Sequence, residues 1–338
     1  MIIVMSPLAT KNQIDHARGR VREFGLEPHL IVGAERTIIA GVGKEKPGLM
    51  AHLEVLDGVE KVLPVVAPYK MASLEAAPVP TVVKVLGFQA GGDRIGVMAG
   101  PCSVESREQL LELARLVKQA GATALRGGAY KPRTSPYSFQ GLKEKGLEIL
   151  AEARAETGLA IVTEVMAPEL VGLVSKYADI LQIGARNMQN YPLLEAAGES
   201  GKPVLLKRGP SATMDEFLLA AEYILKTGNS QVMLCERGIR TFEDHTRFTL
   251  ALASVPYLQQ KTHLPMVVDP SHGTGKTSLV PAMTRAAVAS GADALMLEIH
   301  SNPETAWSDG YQALTPGLFL ETVKSAGVVA SALGRKLG

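Results

Sequence analysis

Eight short apolar runs recur through the last three quarters of the chain, at residues 95–99, 123–125, 160–165, 180–183, 204–206, 231–234, 266–268 and 294–299. Helical patterns separate them. Ser106 with Gln109 and Thr213 with Glu216 have capping-box spacing, and Pro168 and Pro192 suit helix starts. Gly121, Gly158, Gly228 and Gly291 suit helix ends just ahead of the next run. Strand–helix alternation repeated eight times over roughly 240 residues predicts an α/β chain closed as a (β/α)8 TIM barrel. The competing arrangement, a doubly wound open sheet, lacks a G-x-G-x-x-G after any strand.

The first 66 residues read differently. Strands at 2–5, 29–32, 37–42 and 59–65 alternate with a helix over about 11–24 and a second one opened by Pro47, while Gly33 and Ala34 mark a turn. A β-α-β-β-α-β order is ferredoxin-like and contains no catalytic cluster here, which suggests a regulatory domain at 1–66. Residues 67–80, proline- and alanine-rich, read as a linker, and 81–338 as the catalytic barrel domain. A hairpin turning at Gln89-Ala90-Gly91-Gly92 is expected to lead into it.

A net charge of +1 on 338 residues gives no bulk attraction to nucleic acid or membranes, so any electropositive site must be local. The first ten residues lack the basic segment of a signal peptide, and no apolar stretch reaches spanning length. Cys102 and Cys235 give no disulfide framework. A cytoplasmic location is expected.

In such barrels chemistry gathers at the carboxyl ends of the strands. Reading those ends in order gives Cys102; Arg126 with Lys131; Thr163-Glu164; Ala185-Arg186; Lys207; Arg237; Asp269 with His272; and Glu298 with Asp309 beyond. Capping or solubility explains any one of these. Together they resist that explanation, because like charges repel by about 4 kcal/mol per pair at roughly 4 Å and an effective dielectric near 20. Arg126, Lys131, Arg186, Lys207 and Arg237 therefore require anions, such as a carboxylate and phosphates. Cys102, His272, Glu298 and Asp309 offer a thiolate, an imidazole and two carboxylates, a mixture that suits a divalent transition metal with an open position. The P-loop-like 272–277 has Pro270 where the first glycine belongs, Cys235 reads as a core residue, and Trp307 as packing.

The stretches GPCSVES, LRGGAYKPRTSPYSFQG, IGARNMQN, LLKRG, LCERGIRTFE, VDPSH and EIH…SDG occur in this order. Together they resemble 3-deoxy-D-arabino-heptulosonate 7-phosphate (DAHP) synthase, in the bacterial form with an N-terminal ferredoxin-like domain. KPRTS separates it from 3-deoxy-D-manno-octulosonate 8-phosphate synthase, which has a K-A-N-R-S type loop there. The resemblance implies condensation of phosphoenolpyruvate with erythrose 4-phosphate at the head of the shikimate pathway. It implies one divalent ion per subunit (Mn²⁺, Fe²⁺, Co²⁺ or Zn²⁺) on Cys102, His272, Glu298 and Asp309. Phosphoenolpyruvate falls to Arg126, Lys131, Ala185, Arg186, Lys207 and Arg237, and the aldose to Lys131, Pro132, Arg133, Thr134 and Ser135, with Pro132 favouring the shorter aldose. Lys131 is the expected proton donor and Glu164 the residue that orients water. Inhibition by tyrosine or phenylalanine and a homotetramer are further implications. The alternatives are the octulosonate reaction with arabinose 5-phosphate, and a non-catalytic barrel that senses phosphorylated metabolites.

Overall fold

The computed structural model describes every residue except 34–35, 44–47, 65–67, 132–134 and 136. The chain opens with β1 (Ile2–Met5), α1 (Lys11–Glu23), β2 (Glu27–Val32), β3 (Thr37–Val42), α2 (Leu49–Glu54) and β4 (Val59–Leu63). The strands form an antiparallel sheet in the order β2-β3-β1-β4, as the ferredoxin-like reading requires. Alternation along β1 explains its two faces. Ile3 and Met5 pack with Ala17 and Val21 of α1 and Leu49 and Leu53 of α2. Ile2 and Val4 point the other way and belong to one apolar cluster with Tyr69, Met71 and the barrel's helical layer. Thr10 and Gln13 close a full capping box at the start of α1, which the sequence reading passed over. Ala34 of the expected turn, Pro47 and the end of the strand expected at 59–65 lie outside the described residues.

A hairpin follows, but not where the sequence placed it. It consists of β5 (Val83–Val85) and β6 (Phe88–Ala90), turning through Leu86 at φ 50° and Gly87. Gln89 and Ala90, expected in the turn, are strand residues paired with Lys84 and Val83.

Eight parallel strands come next: β7 (Arg94–Gly100), β8 (Ala124–Arg126), β9 (Ala160–Glu164), β10 (Ile180–Ile183), β11 (Val204–Lys207), β12 (Val232–Glu236), β13 (Met266–Val268) and β14 (Ala294–Glu298). Each pairs with the next, and β14 returns to β7 with Ala294 opposite Gly96 and Glu298 opposite Gly100, so the sheet closes into a barrel. The surrounding helices are α3 (Arg107–Gln119), α4 (Glu144–Thr157), α5 (Val171–Tyr177), α6 (Tyr191–Glu199), α7 (Met214–Leu225) and α8 (Ser254–Gln259). A short α9 (Pro270–Thr274) follows β13, ahead of α10 (Val280–Ala289) and α11 (Pro316–Ala332). The final β15 (Lys336–Leu337) lies parallel to the start of β7. Thr213 and Glu216 form the expected box on α7, whereas Ser106 only accepts from the Gln109 backbone on α3.

Period-two alternation splits the barrel strands between two cores. Met98, Val162, Leu205, Met233 and Met296 turn inward, and Val83 and Phe88 of the hairpin pack onto them. Phe88 thus plugs the amino-terminal end of the barrel. Gly96 makes room for it, since a Cβ there would run into the Phe88 ring. Residues 69–81 are fastened down as well. Ala72 N donates to Glu222 Oε1 at 2.6 Å, Leu74 N donates to Lys261 O at 3.1 Å, and His263 bridges Met71 O at 2.8 Å and Thr81 Oγ1 at 2.7 Å.

Candidate active site

The carboxyl ends of the eight strands surround a cavity of about 720 Å³. On its β7–β14 side the ligand atoms of Cys102, Glu298 and Asp309 lie within 4.8 Å of one another. Cys102 follows β7, Glu298 ends β14, and Asp309 sits beyond it at φ 51°, in the left-handed region. Cys102 Sγ contacts Asp309 Oδ2 at 3.5 Å, and Lys131 Nζ donates to Cys102 O and approaches Sγ, both at 3.0 Å. Burial, helped by Glu298, pushes the Cys102 thiol up, against the pull of Lys131 and Arg126. Burial would push Glu298 up too, but His272, Arg126 and Lys131 outweigh it and hold the carboxyl below its usual range.

His272 stands at the edge of this triangle. Asp269 caps α9, accepting from His272 N at 3.0 Å and from its Nδ1 at 2.7 Å. Burial pushes the imidazole down, while Asp269 and Glu298 draw it up. Its Nε2 lies 3.3 Å from Glu298 Oε1, on the ring edge away from Asp269. A cation held between that nitrogen and that oxygen would be a ligand partner to both. A soft sulfur, an imidazole nitrogen and two carboxylates therefore fit a transition-metal ion, with Asp269 orienting the imidazole from behind.

The rest of the cavity is cationic. Arg126, 4% exposed at the end of β8, donates through Nη1 to Glu298 Oε1 at 2.9 Å and Pro101 O at 2.8 Å, while its buried Nε has no partner among the described residues. Lys207, closing β11, donates to Asp269 Oδ2 at 2.6 Å. Asp269 is held well below the usual carboxylate range: burial opposes this, but His272 and Lys207 prevail. Arg237 is buried, lies 4.1 Å over the Phe248 ring and has no carboxylate partner among the described residues. Burial pushes its guanidinium down. Arg186 and Ala185 lie on a single 3₁₀ turn after β10 and line the same wall.

Glu164 ends β9 beside Gln182, whose Nε2 donates to Oε2 at 3.4 Å. Burial raises its carboxyl despite Lys131, Lys207, Arg126 and Arg186 nearby. Gly184 keeps that position open, since a Cβ there would meet the Glu164 carboxylate.

The cavity wall thus includes, from the residues singled out in the sequence, Arg126, Lys131, Ser135, Glu164, Ala185 and Arg186, with Lys207, Arg237, His272 and Asp309 completing it. Pro132, Arg133 and Thr134 lie outside the described residues. Sequence reasoning missed Arg240 and Arg247, which also line the cavity, and Gln312, whose amide donates to Glu298 Oε2. The first two sit in the long segment after β12, Arg240 just past Arg237 and Arg247 well beyond it, and a glutamine beyond β14 carries no charge signal. Cys235 is fully buried, with its thiol pushed up by burial, as a core residue should be. Trp307 is 57% exposed, but its ring meets Phe139 edge-on at 4.9 Å.

Comparison with known proteins agrees with this geometry. The DAHP synthetase I family profile matches residues 78–331, and the DAHP synthase ferredoxin-like domain profile matches residues 1–67. The chain is 48% identical over 337 residues to a phospho-2-dehydro-3-deoxyheptonate aldolase of Thermotoga maritima, covering all of both proteins. A crystal structure of a Thermotoga maritima protein of that name superposes with a TM-score of 0.80 at 47% identity, over 100% of this chain and 99% of that one. A 2-dehydro-3-deoxyphosphooctonate aldolase of Syntrophobacter fumaroxidans is 33% identical over 249 residues, 68% of this chain and 85% of its own.

Proposed function

Because the chain belongs to the DAHP synthetase I family, we propose a division of labour among the residues of its barrel mouth. The reaction is that of a 3-deoxy-7-phosphoheptulonate synthase: phosphoenolpyruvate, D-erythrose 4-phosphate and water give DAHP and phosphate, the first step of aromatic amino-acid biosynthesis. The observation that carries the residue assignment is a thiol–dicarboxylate cluster that meets a cationic cavity wall at Asp309.

Arg186, Lys207 and Arg237 hold the phosphate and carboxylate of phosphoenolpyruvate. Arg126 offers its unpartnered Nε to the same anion, and Ala185 closes the wall behind it. Lys207 and Arg237 are buried and already oriented, so they act more strongly than the exposed Arg186. Cys102, His272, Glu298 and Asp309 would hold the metal ion, which supplies Lewis acidity towards the aldehyde oxygen when bound. Lys131 Nζ, placed against Cys102, donates a proton to the alkoxide that develops as the enol carbon attacks the aldehyde. Glu164 orients the water that adds to the cationic enol-ether carbon, and phosphate leaves with carbon–oxygen cleavage, its charge met by Arg186, Lys207 and Arg237. Pro132, Arg133, Thr134 and Ser135 take the aldose end, a role supported in this structure by Ser135 on the cavity wall. The ferredoxin-like unit at 1–66 acts as a feedback domain for tyrosine or phenylalanine, joined through 67–80 to the barrel at 81–338, in a homotetramer.

Two other readings carry less. The octulosonate relatives match only part of the chain at lower identity, and a non-catalytic sensing barrel would not need all four metal donors and Lys131. Phosphate release from phosphoenolpyruvate, with erythrose 4-phosphate or arabinose 5-phosphate and with or without Mn²⁺, tests the assignment. Release is expected with erythrose 4-phosphate and the ion, and lost on chelation. Faster turnover of arabinose 5-phosphate, or full rate after exhaustive chelation, would contradict it.

A further inference from the structure

Two of the metal donors come from loops 207 residues apart that meet only where the barrel closes. The residue after Cys102 and the residue before Asp309 are both serines. Ser103 and Ser308 are 0% and 5% exposed, and their Oγ atoms lie 2.6 Å apart. Glu105 continues the contact. Its Oε1 accepts from Trp307 N at 2.9 Å and from Ser103 Oγ at 3.4 Å. Its Oε2 lies 3.3 Å from His300 Nε2. Asn302 N donates to His300 Nδ1 at 3.1 Å, which leaves the ring proton on Nε2, directed at Glu105. One carboxylate from the β7 loop therefore grips the β14 loop at two points, on either side of the turn that leads to Asp309.

We propose that Ser103, Ser308 and Glu105 form a clasp whose function is to set the spacing of Cys102 and Asp309, so that thiolate and carboxylate face one ion. None of the three lines the cavity; they are positioning residues. The assignment rests on the metal reading above. Asp309 sits in the left-handed region at φ 51°, which aspartate tolerates better than most residues, and its backbone is thereby turned out of the regular path of the loop. Hydrogen-bonded groups behind a ligand fix its direction, and losing them weakens metal binding; the clasp acts one step further back, through the residues adjoining Cys102 and Asp309.

The test is titration of the purified full chain, stripped of metal, with Co²⁺. Binding is read by the thiolate-to-cobalt absorption that Cys102 would generate, and melting of the metal-free protein is recorded alongside. Glu105→Ala and Ser308→Ala should each weaken Co²⁺ binding by about 10–100-fold. The metal-free melting temperature should stay within a few degrees of wild type. Glu105→Gln, which keeps the acceptor for Trp307 N, and Ser308→Thr, which keeps the hydroxyl, should recover most of the affinity. Wild-type affinity and absorption in both alanine variants would overturn the clasp while leaving the metal site standing. Equal losses in the conservative and alanine variants, in step with lower metal-free melting, would reduce the clasp to ordinary packing and overturn it. A wild-type chain that binds no Co²⁺ through Cys102 would overturn the metal reading, and the clasp with it.

Discussion

The two ends of this barrel are made by the same eight strands and follow opposite rules. At the amino-terminal end Val83 and Phe88 fill the interior against Met98, Met233 and Met296, with no charge among them. At the carboxyl end the interior holds Arg126, Lys207, Asp269, Glu298 and Arg237, all buried and charged. Burying a charge costs several kcal/mol unless it is paired. Arg126 with Glu298, and Lys207 with Asp269, offset that cost; among the described residues Arg237 has an aromatic face and no carboxylate partner. One end stabilises the barrel, and the other keeps charges poised for anions at the expense of stability.

Substitutions at the two ends should separate these roles. The largest effect is expected at Arg237→Met, which keeps the packing on Phe248 and removes a charge. It should lower kcat/KM for phosphoenolpyruvate on the order of 10²–10³-fold. The melting temperature should hold or rise, because an unpaired buried cation is gone. Phe88→Ala should do the reverse, costing about 3–5 kcal/mol of stability in denaturant titration while kcat/KM at a permissive temperature stays near wild type. A large activity loss at Phe88 or a large stability loss at Arg237 would break the contrast.

A smaller effect sharpens it. The Glu164 carboxyl is raised by burial, so its ionised form works against the fold. Stability from this group is fully present below the ordinary glutamate range and is lost as pH rises through the raised folded value. Glu164→Gln should therefore raise the melting temperature at pH 8 and leave it nearly unchanged at pH 4. The acid limb of the wild-type kcat/KM profile should lie above the ordinary glutamate range and vanish in the variant. A uniform stability gain at both pH values would argue against an ionised Glu164.

The strand ends were legible in the sequence because each combines a short apolar run with one polar residue just beyond it. Cys102 and Glu298 follow from that regularity, with Asp309 in the loop beyond, and the structure brings the three together. The hairpin was misread because Gly91 and Gly92 look like a turn. They form the exit from β6, while the turn itself uses Leu86 at positive φ, a residue no turn preference would nominate. Arg247 reaches the cavity from a segment without periodicity, so nothing local marks it, whereas Arg240 lies inside the LCERGIRTFE stretch without being given a role. The Ser103–Ser308 contact joins residues 205 apart, and two small hydroxyls give no sequence signal for such a pairing.

The central claim is that one metal ion and one phosphoenolpyruvate occupy adjacent walls of this mouth. Anomalous scattering from crystals grown with Mn²⁺ and phosphoenolpyruvate tests it directly. The account predicts a single Mn²⁺ peak bonded to Cys102, His272, Glu298 and Asp309, with the ligand's phosphate against Arg186, Lys207 and Arg237. A peak elsewhere, or a phosphate on another wall, would contradict it.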